Sequence, residues 1–252
     1  MRIDKYLSGV FGSRTKAAAA ISRGLVLING KKISPSYDFK EGENLQILKA
    51  KEDFVSVGGF KLKKALVDFS YSVEGKIFAD IGASTGGFTD CLLQNGAKKI
   101  YCIDVGESQL DKSLICDKTV IIDNYNARNL DKSLFSEQLD GIVIDVSFIS
   151  LTYILKAVSE VLDDGKHVLA LIKPQFECES RSVGKNGIVR GTKAHEQIIS
   201  KIIDFASMCG LATINLTNAP IVQGKNIEYV NLLEKGSKVP ASKENLLKSV
   251  KL

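Results

Sequence analysis

Apolar and polar positions follow two different periods along this chain, and the change of period divides it. In residues 2–9, Ile3 and Leu7 stand four apart with Tyr6 beside them, the spacing of a short amphipathic helix. Ser13 reads as the N-cap of a second helix running through Ala17 and Ile21 to Gly24. Leu25 to Ile28 is an apolar strand, and Asn29-Gly30 is a two-residue hairpin signal leading into Lys31-Lys32-Ile33. A further strand near Leu45 to Leu48 closes a small α+β unit over residues 1–50. Residues 51–58 read as a linker, and a helix begins near Gly59 and carries Lys61. Lys61 by itself reads as a solvated helix lysine.

From residue 76 onward short apolar runs alternate with helical ones, as a doubly wound parallel sheet requires. The expected strands are Ile77 to Ile81, Lys99 to Val105, Thr119 to Ile122, Gly141 to Asp145 and His167 to Ile172. Helices are expected over Gly87 to Asn95, Ser150 to Val161 and His195 to Cys209. Thr213 to Leu216 and Ile227 to Leu233 have no long helix between them, so they should pair as an antiparallel hairpin. The expected fold class is α/β over residues 59–236, with the small α+β unit ahead of it. The stretch 237–252, rich in Lys and Ser, reads as a flexible tail.

Composition narrows the function classes. The chain has 252 residues, 44% hydrophobic and 25% charged, enough for a sizeable core. The five cysteines are odd in number and widely spaced, without Cys-x-x-Cys, which argues for reduced thiols in a cytoplasmic protein and against a zinc site or disulfide framework. No apolar leader follows Met1, and no stretch approaches the length of a membrane span, so neither secretion nor membrane association is expected. The net charge of +5 is uneven: residues 1–64 hold 13 Lys or Arg against 6 Asp or Glu. A basic head on a near-neutral body suits a polyanionic partner.

The candidate chemistry begins at Asp80-Ile-Gly82-Ala-Ser84-Thr85-Gly86-Gly87-Phe88-Thr-Asp90, a glycine turn between a buried strand and a helix. Glycines let backbone approach a ligand, and the following helix offers free N–H groups. The order is neither Gly-x-Gly-x-x-Gly nor a P-loop, so something other than a pyrophosphate is expected there. Asp104 ends the second strand, Asn126-Ala127-Arg128 follows the third, and Asp145 ends the fourth. Each alone reads equally as a cap or turn residue. Together, at the strand ends where ligands of such sheets bind, they indicate a nucleoside-containing cofactor. Lys173 closes the apolar fifth strand, where burial would lower its pKa. The long polar segment Gln175 to Gly191 carries Arg181, Lys185 and Arg190. Glu228, early in the last strand, should face the cleft.

The head resembles the S4-like (alpha-L) RNA-binding domain, on Arg2-Ile-Asp4-Lys-Tyr-Leu7, Ser13-Arg14, Ala17, Ile21, Gly24-Leu-Val26 and Asn29-Gly30. That resemblance implies RNA held through its backbone, with Arg2, Lys5, Arg14, Lys16, Arg23, Lys31 and Lys32 as contacts, joined by Arg181, Lys185 and Arg190. The rest resembles the FtsJ-type methyltransferase domain with its Rossmann-like seven-stranded sheet. The carrying motifs are Val55-Ser-x-Gly58-Gly-x-Lys61-Leu, the glycine turn, Asp104-Val-Gly106, Asp145-Val-Ser-Phe-Ile-Ser-Leu151, Ile172-Lys-Pro-Gln-Phe-Glu177 and Val183-Gly-Lys-x-Gly-x-Val-Arg190. Both parts together are similar to the TlyA (haemolysin A) family of ribosomal RNA 2′-O-methyltransferases. Val57 departs from the arginine common at that position among relatives.

The resemblance implies S-adenosylmethionine as cofactor, ribosomal RNA or ribosomal subunits as partner, no metal, and a monomer. It carries a Lys-Asp-Lys-Glu set onto Lys61, Asp145, Lys173 and Glu228. Asp80, Gly82, Ser84, Thr85, Gly86, Gly87, Phe88, Asp104, Asn126, Ala127, Arg128 and Asp145 are the expected cofactor contacts. Gly82, Ser84, Gly86 and Gly87 should face the cofactor's methionine part. Lys173 would act as base, Asp145 would orient it, and Lys61 and Glu228 would position the ribose. Three rival readings are a base methyltransferase, which would normally carry a motif such as Asn-Pro-Pro-Tyr, an inactive ribosome-assembly factor, and a membrane-active haemolysin.

Overall fold

The computed structural model describes residues 1–22, 24–48, 54–178, 184, 187–237 and 241–252, with the Lys16 side chain excepted. The chain separates into two compact units, Met1–Asp53 and Phe54–Leu252.

In the first unit, α1 (Ile3–Tyr6) and α2 (Arg14–Ser22) pack against β1 (Val26–Ile28), β2 (Lys31–Lys32) and β3 (Leu45–Ile47). The antiparallel strands lie in the order β2-β1-β3. Ile3, Leu7, Ala17, Ile21, Val26 and Ile28 form the core, so the helical i, i+4 pairs and the strand alternation converge on one small apolar centre. Asn29 and Gly30 both have positive φ, at 50° and 75°, the requirement of a type I′ hairpin.

The second unit opens with α3 (Val57–Asp68), two residues earlier than Gly59. It continues through β4 (Ile77–Ile81), α4 (Gly87–Gln94), β5 (Lys99–Ile103), β6 (Thr119–Ile122), β7 (Gly141–Ile144), α5 (Thr152–Val161), β8 (His167–Ile172), α6 (Pro174–Glu177), α7 (Thr192–Met208), β9 (Leu211–Asn218), β10 (Tyr229–Lys235) and α8 (Lys243–Lys248). Seven strands form one sheet in the order β6-β5-β4-β7-β8-β10-β9. β10 alone runs against its neighbours. The reversal of strand order beside β4 places a crevice at the carboxyl ends of β4, β5 and β7. Two apolar layers cover the two sheet faces, one centred on Ile81, Ile142 and Ile199, the other on Phe78, Val143 and Leu169.

The last two strands pair antiparallel within the seven-stranded sheet as expected, with β10 lying between β8 and β9. Two expectations need correction. Glu228 precedes β10 instead of lying within it. Of the expected flexible tail, 238–240 lie outside the described residues and 241–252 are folded: Leu246 is buried, Leu247, Val250 and Leu252 pack on the core, and Asn218 bonds both the N–H and the C=O of Lys251 at 2.8 and 2.9 Å. Its Lys-rich composition hid the short apolar pair Leu246-Leu247 inside the helix.

Candidate functional site

The glycine turn is shaped by close backbone approach. β4 is wholly buried and delivers Gly82 (φ 80°) against the backbone of Asp145, where an added Cβ would lie 2.8 Å from the Asp145 carbonyl oxygen. Ser84 also has positive φ, 48°, and its N–H donates to Asp104 Oδ2 at 2.8 Å. Asp104 Oδ1 accepts the Gly106 N–H at 2.8 Å, so this acid ties the turn to the end of β5. Gly87 opens α4 against Ser56 and Gly58 of the α3 entry. Gly86 has a packing role: a side chain there would run into Leu110 and Leu114.

Two cavities adjoin at this turn. The larger, about 350 Å³, is lined by Gly82, Ser84, Asp104, Asn126, Ala127 and Asp145 among others. The smaller, about 150 Å³, is lined by Lys61, Thr85, Gly87, Phe88, Asp145 and Lys173 with Ser56 and Gly58. Gly82, Ser84, Asp145 and Ser147 line both. Gly86 and Arg128 line neither. Asn126 caps the short turn Ala127–Asn129 by accepting the Arg128 N–H, and the Arg128 guanidinium lies 4.6 Å over the Tyr153 ring.

The four lysines and acids resolve into two ion pairs. Lys173 Nζ lies 2.5 Å from Asp145 Oδ1 but is not aligned with it as a hydrogen bond; the ammonium donates instead to Ser147 Oγ at 2.7 Å. Lys61 Nζ lies 2.6 Å from Glu228 Oε2. Gln175 Nε2 donates to Glu228 Oε1 at 3.4 Å, linking the second pair to the helix that follows Lys173. The register brings them together: Tyr229 stands opposite Ile172, so Glu228 arrives beside Lys173. The side chains are 10% to 21% exposed, so water screens these pairs weakly.

Asp80 supports the turn from below. It is fully buried, accepts the Thr89 hydroxyl at 2.6 Å, and leaves its other oxygen without a hydrogen-bond partner among the described residues. Burial, aided by the Asp145 and Asp104 carboxylates and opposed by Thr89, pushes its carboxyl up to about 7. It lines neither cavity and acts through the turn above it.

Several lining residues were not singled out from the sequence. Ser147 and Phe148 lie within the Asp145 motif, yet nothing in their spacing marked them. Phe148 has φ 64°, is 91% exposed and sits 5.2 Å, centroid to centroid, from Phe176. Gln109 and Tyr125 come from loops without regular pattern.

In the first unit, Asp4 is buried and accepts from Arg2 Nε and Nη2 at 3.2 and 3.0 Å and from Arg14 Nε at 3.1 Å. The Arg2 hydrogen bond leads in holding this carboxyl down at about 2, with Arg14 adding to it and desolvation opposing. Lys5, Lys31, Lys32 and Arg190 are exposed. The Lys16 side chain, Arg23, Arg181 and Lys185 lie outside the described residues. Among the described residues no group of three or more His, Cys, Asp or Glu is placed to hold a metal, and no helix is long and apolar enough to cross a membrane.

Residues 54–234 match the FtsJ-like methyltransferase family, and residues 1–45 match the S4 domain. The chain belongs to the FtsJ-like methyltransferase family. Hemolysin A of Brachyspira hyodysenteriae is 44% identical, over 91% of this chain and 98% of its own length. The 16S/23S rRNA (cytidine-2′-O)-methyltransferase TlyA of Mycobacterium tuberculosis is 33% identical, over 90% of this chain and 87% of its own. A solved Streptococcus thermophilus protein, provisionally called a hemolysin, superposes with a TM-score of 0.73 at 40% identity, covering 98% of this chain and 94% of that one. Membership of an FtsJ-like family agrees with the sheet order, in which the antiparallel seventh strand lies inside the sheet.

Proposed function

We propose that this methyltransferase moves a methyl group from S-adenosylmethionine to a ribose 2′-hydroxyl of ribosomal RNA. The observation that carries this reading is the meeting of two cavities at Asp145 and Ser147, with Lys173 held at that junction. A nucleoside end and a reacting end joined at one lysine suit transfer from a nucleoside-containing donor to a hydroxyl. The rRNA-acting relatives and the S4 domain supply the substrate class.

The residues present fit the donor. Gly82, Ser84, Thr85, Gly87 and Phe88 would hold its methionine part, where the backbone leaves no room for a side chain at Gly82. Asp104 retains free lone pairs for ribose hydroxyls, and Asn126 and Ala127 border the space for a base. S-adenosylmethionine supplies a methyl group already activated on a sulfonium. What remains for the protein is alignment and removal of one proton. Lys173, in its neutral form, takes the proton of the 2′-hydroxyl at Nζ. Asp145 and Ser147 fix the direction of that nitrogen. Lys61 and Glu228, as a closed pair at the rim, position the acceptor ribose. The exposed ring of Phe148 offers an apolar face at the cleft edge on which an unstacked base can rest.

The test is incubation of ribosomal subunits with radiolabelled S-adenosylmethionine and mapping of the labelled nucleotide. Label on a ribose oxygen, at a cytidine by analogy with the relatives, is expected. Label confined to a base, or none, overturns the reading. Leakage of dye from liposomes by the purified protein would favour a membrane activity instead.

A further inference from the structure

Val189 is the anchored point of the segment that leads into α7. Its side chain is buried, its N–H donates to Asn226 Oδ1 at 2.9 Å, and its carbonyl lies 3.2 Å from His195 Nε2. Asn226 also reaches with Nδ2 to the Gly187 carbonyl at 2.8 Å, so one amide side chain satisfies two backbone groups of this segment. His195, in the first turn of α7, has its Nδ1 2.7 Å from the Tyr229 hydroxyl. A carbonyl can only accept, so Nε2 carries a proton, and in the neutral ring Nδ1 accepts from the Tyr229 hydroxyl. His195 and Tyr229 are both buried, at 3% and 0% exposure, which shields these bonds from solvent.

The two anchors flank Glu228 in the chain. Asn226 stands two residues before it and Tyr229 follows it directly, with Tyr229 opposite Ile172, the neighbour of Lys173. Glu228 is therefore held between Asn226, whose side chain bonds Gly187 and Val189, and Tyr229, which reaches Val189 through His195. Arg190, the next residue along, is exposed and cationic.

We infer that Asn226 and His195 are positioning residues that couple Arg190 to the Lys61–Glu228 pair, so that RNA contact at Arg190 and the setting of that pair are one event. The inference rests on the reading of this site as an RNA ribose methyltransferase. A shift of the Gly187–Arg190 segment cannot occur with these bonds intact unless the stretch around Glu228 moves too. Neither Asn226 nor His195 lines the cleft between Asp145 and Lys173.

The test is a double-mutant cycle between Asn226→Ala and Arg190→Ala, read as kcat and KM for methylation of ribosomal subunits with radiolabelled S-adenosylmethionine. Coupling predicts that Arg190→Ala weakens the wild-type enzyme but has little further effect once Asn226 is replaced. The expected departure from multiplicativity is about tenfold, the size found within one hydrogen-bonded network. Affinity for S-adenosylmethionine, measured by calorimetry without RNA, should be unchanged in all variants. Asn226→Asp keeps the acceptor for the Val189 N–H and should recover part of kcat. Should Asn226→Ala fail to fold, Tyr229→Phe removes only the hydroxyl donated to His195 and enters the same cycle. Penalties that simply multiply overturn the coupling while leaving the catalytic reading in place. A wild-type enzyme that labels no ribose overturns both.

Discussion

The two units of this chain use buried and half-buried acids in opposite ways. In the S4 unit, Asp4 holds Arg2 and Arg14, whose side chains remain 52% and 56% exposed. The acid fixes the direction of two cations whose outer faces stay available to a phosphate. In the methyltransferase unit, Asp145 and Glu228 hold lysines that are mostly enclosed, and Asp80 pairs with no cation among the described residues. There the acids set up one geometry inside a cleft or brace a turn from beneath it. An exposed paired arginine suits a long polyanion met in many registers, and an enclosed paired lysine suits one hydroxyl met in a single pose.

Four measurements test that contrast. The largest effect is expected in the enclosed pairs: Lys173→Ala should lower methyl transfer by roughly 10²- to 10⁴-fold, the usual contribution of a positioned base, with donor affinity nearly intact. Retained turnover would remove Lys173 from the chemistry. In the S4 unit the loss should be graded and salt-dependent. Arg2→Ala combined with Arg14→Ala should reduce the slope of log affinity for rRNA against log salt by about 0.7 to 0.9 for each phosphate no longer neutralised. An unchanged slope would leave the two arginines as structural partners of Asp4 only.

The two remaining effects are on stability, and their signs differ. Asp80 has its carboxyl raised from 3.8 to about 7 in the folded protein. The native state therefore binds this proton more tightly than the unfolded chain, and stability falls as pH rises from about 4 to about 7. Asp80→Asn should remove that fall, seen as a flatter urea midpoint between pH 5 and 8; parallel profiles for the two proteins would refute it. Asp4 is lowered from 3.8 to about 2, so its contribution is present above about pH 4 and is lost as pH falls through about 2. The Asp4→Asn variant should lose less stability than wild type over that acid limb, the smallest of the four effects. Equal acid losses would show that the arginines do not hold this carboxylate.

Much of the fold could be read locally. The strand runs at Ile77–Ile81 and His167–Ile172 appear where their apolar character places them, and the Asn29-Gly30 turn follows from its dipeptide. The C-terminal helix could not be read from composition, because its stability comes from Leu246 and Leu247 packing on a core built by elements earlier in the chain. Gly86 looked like a ligand-facing glycine, but only the packing of Leu110 and Leu114 shows why it cannot carry a side chain. Ser147 and Phe148 escaped notice because one side chain's hydrogen bond and the other's exposure depend on the loop's path over the sheet.

The two kinds of periodicity, the glycine turn, the acids at the strand ends and the lysine closing the fifth strand are all written in the order of the amino acids. These are local properties, set by side-chain volume, backbone freedom and the period of each element. Which acid meets which lysine follows from the assembled sheet. Lys173 meets Asp145 because β7 and β8 are parallel neighbours, and Lys61 meets Glu228 because β10 enters between β8 and β9. Strand order and register are properties of the whole sheet, and no window of the sequence contains them.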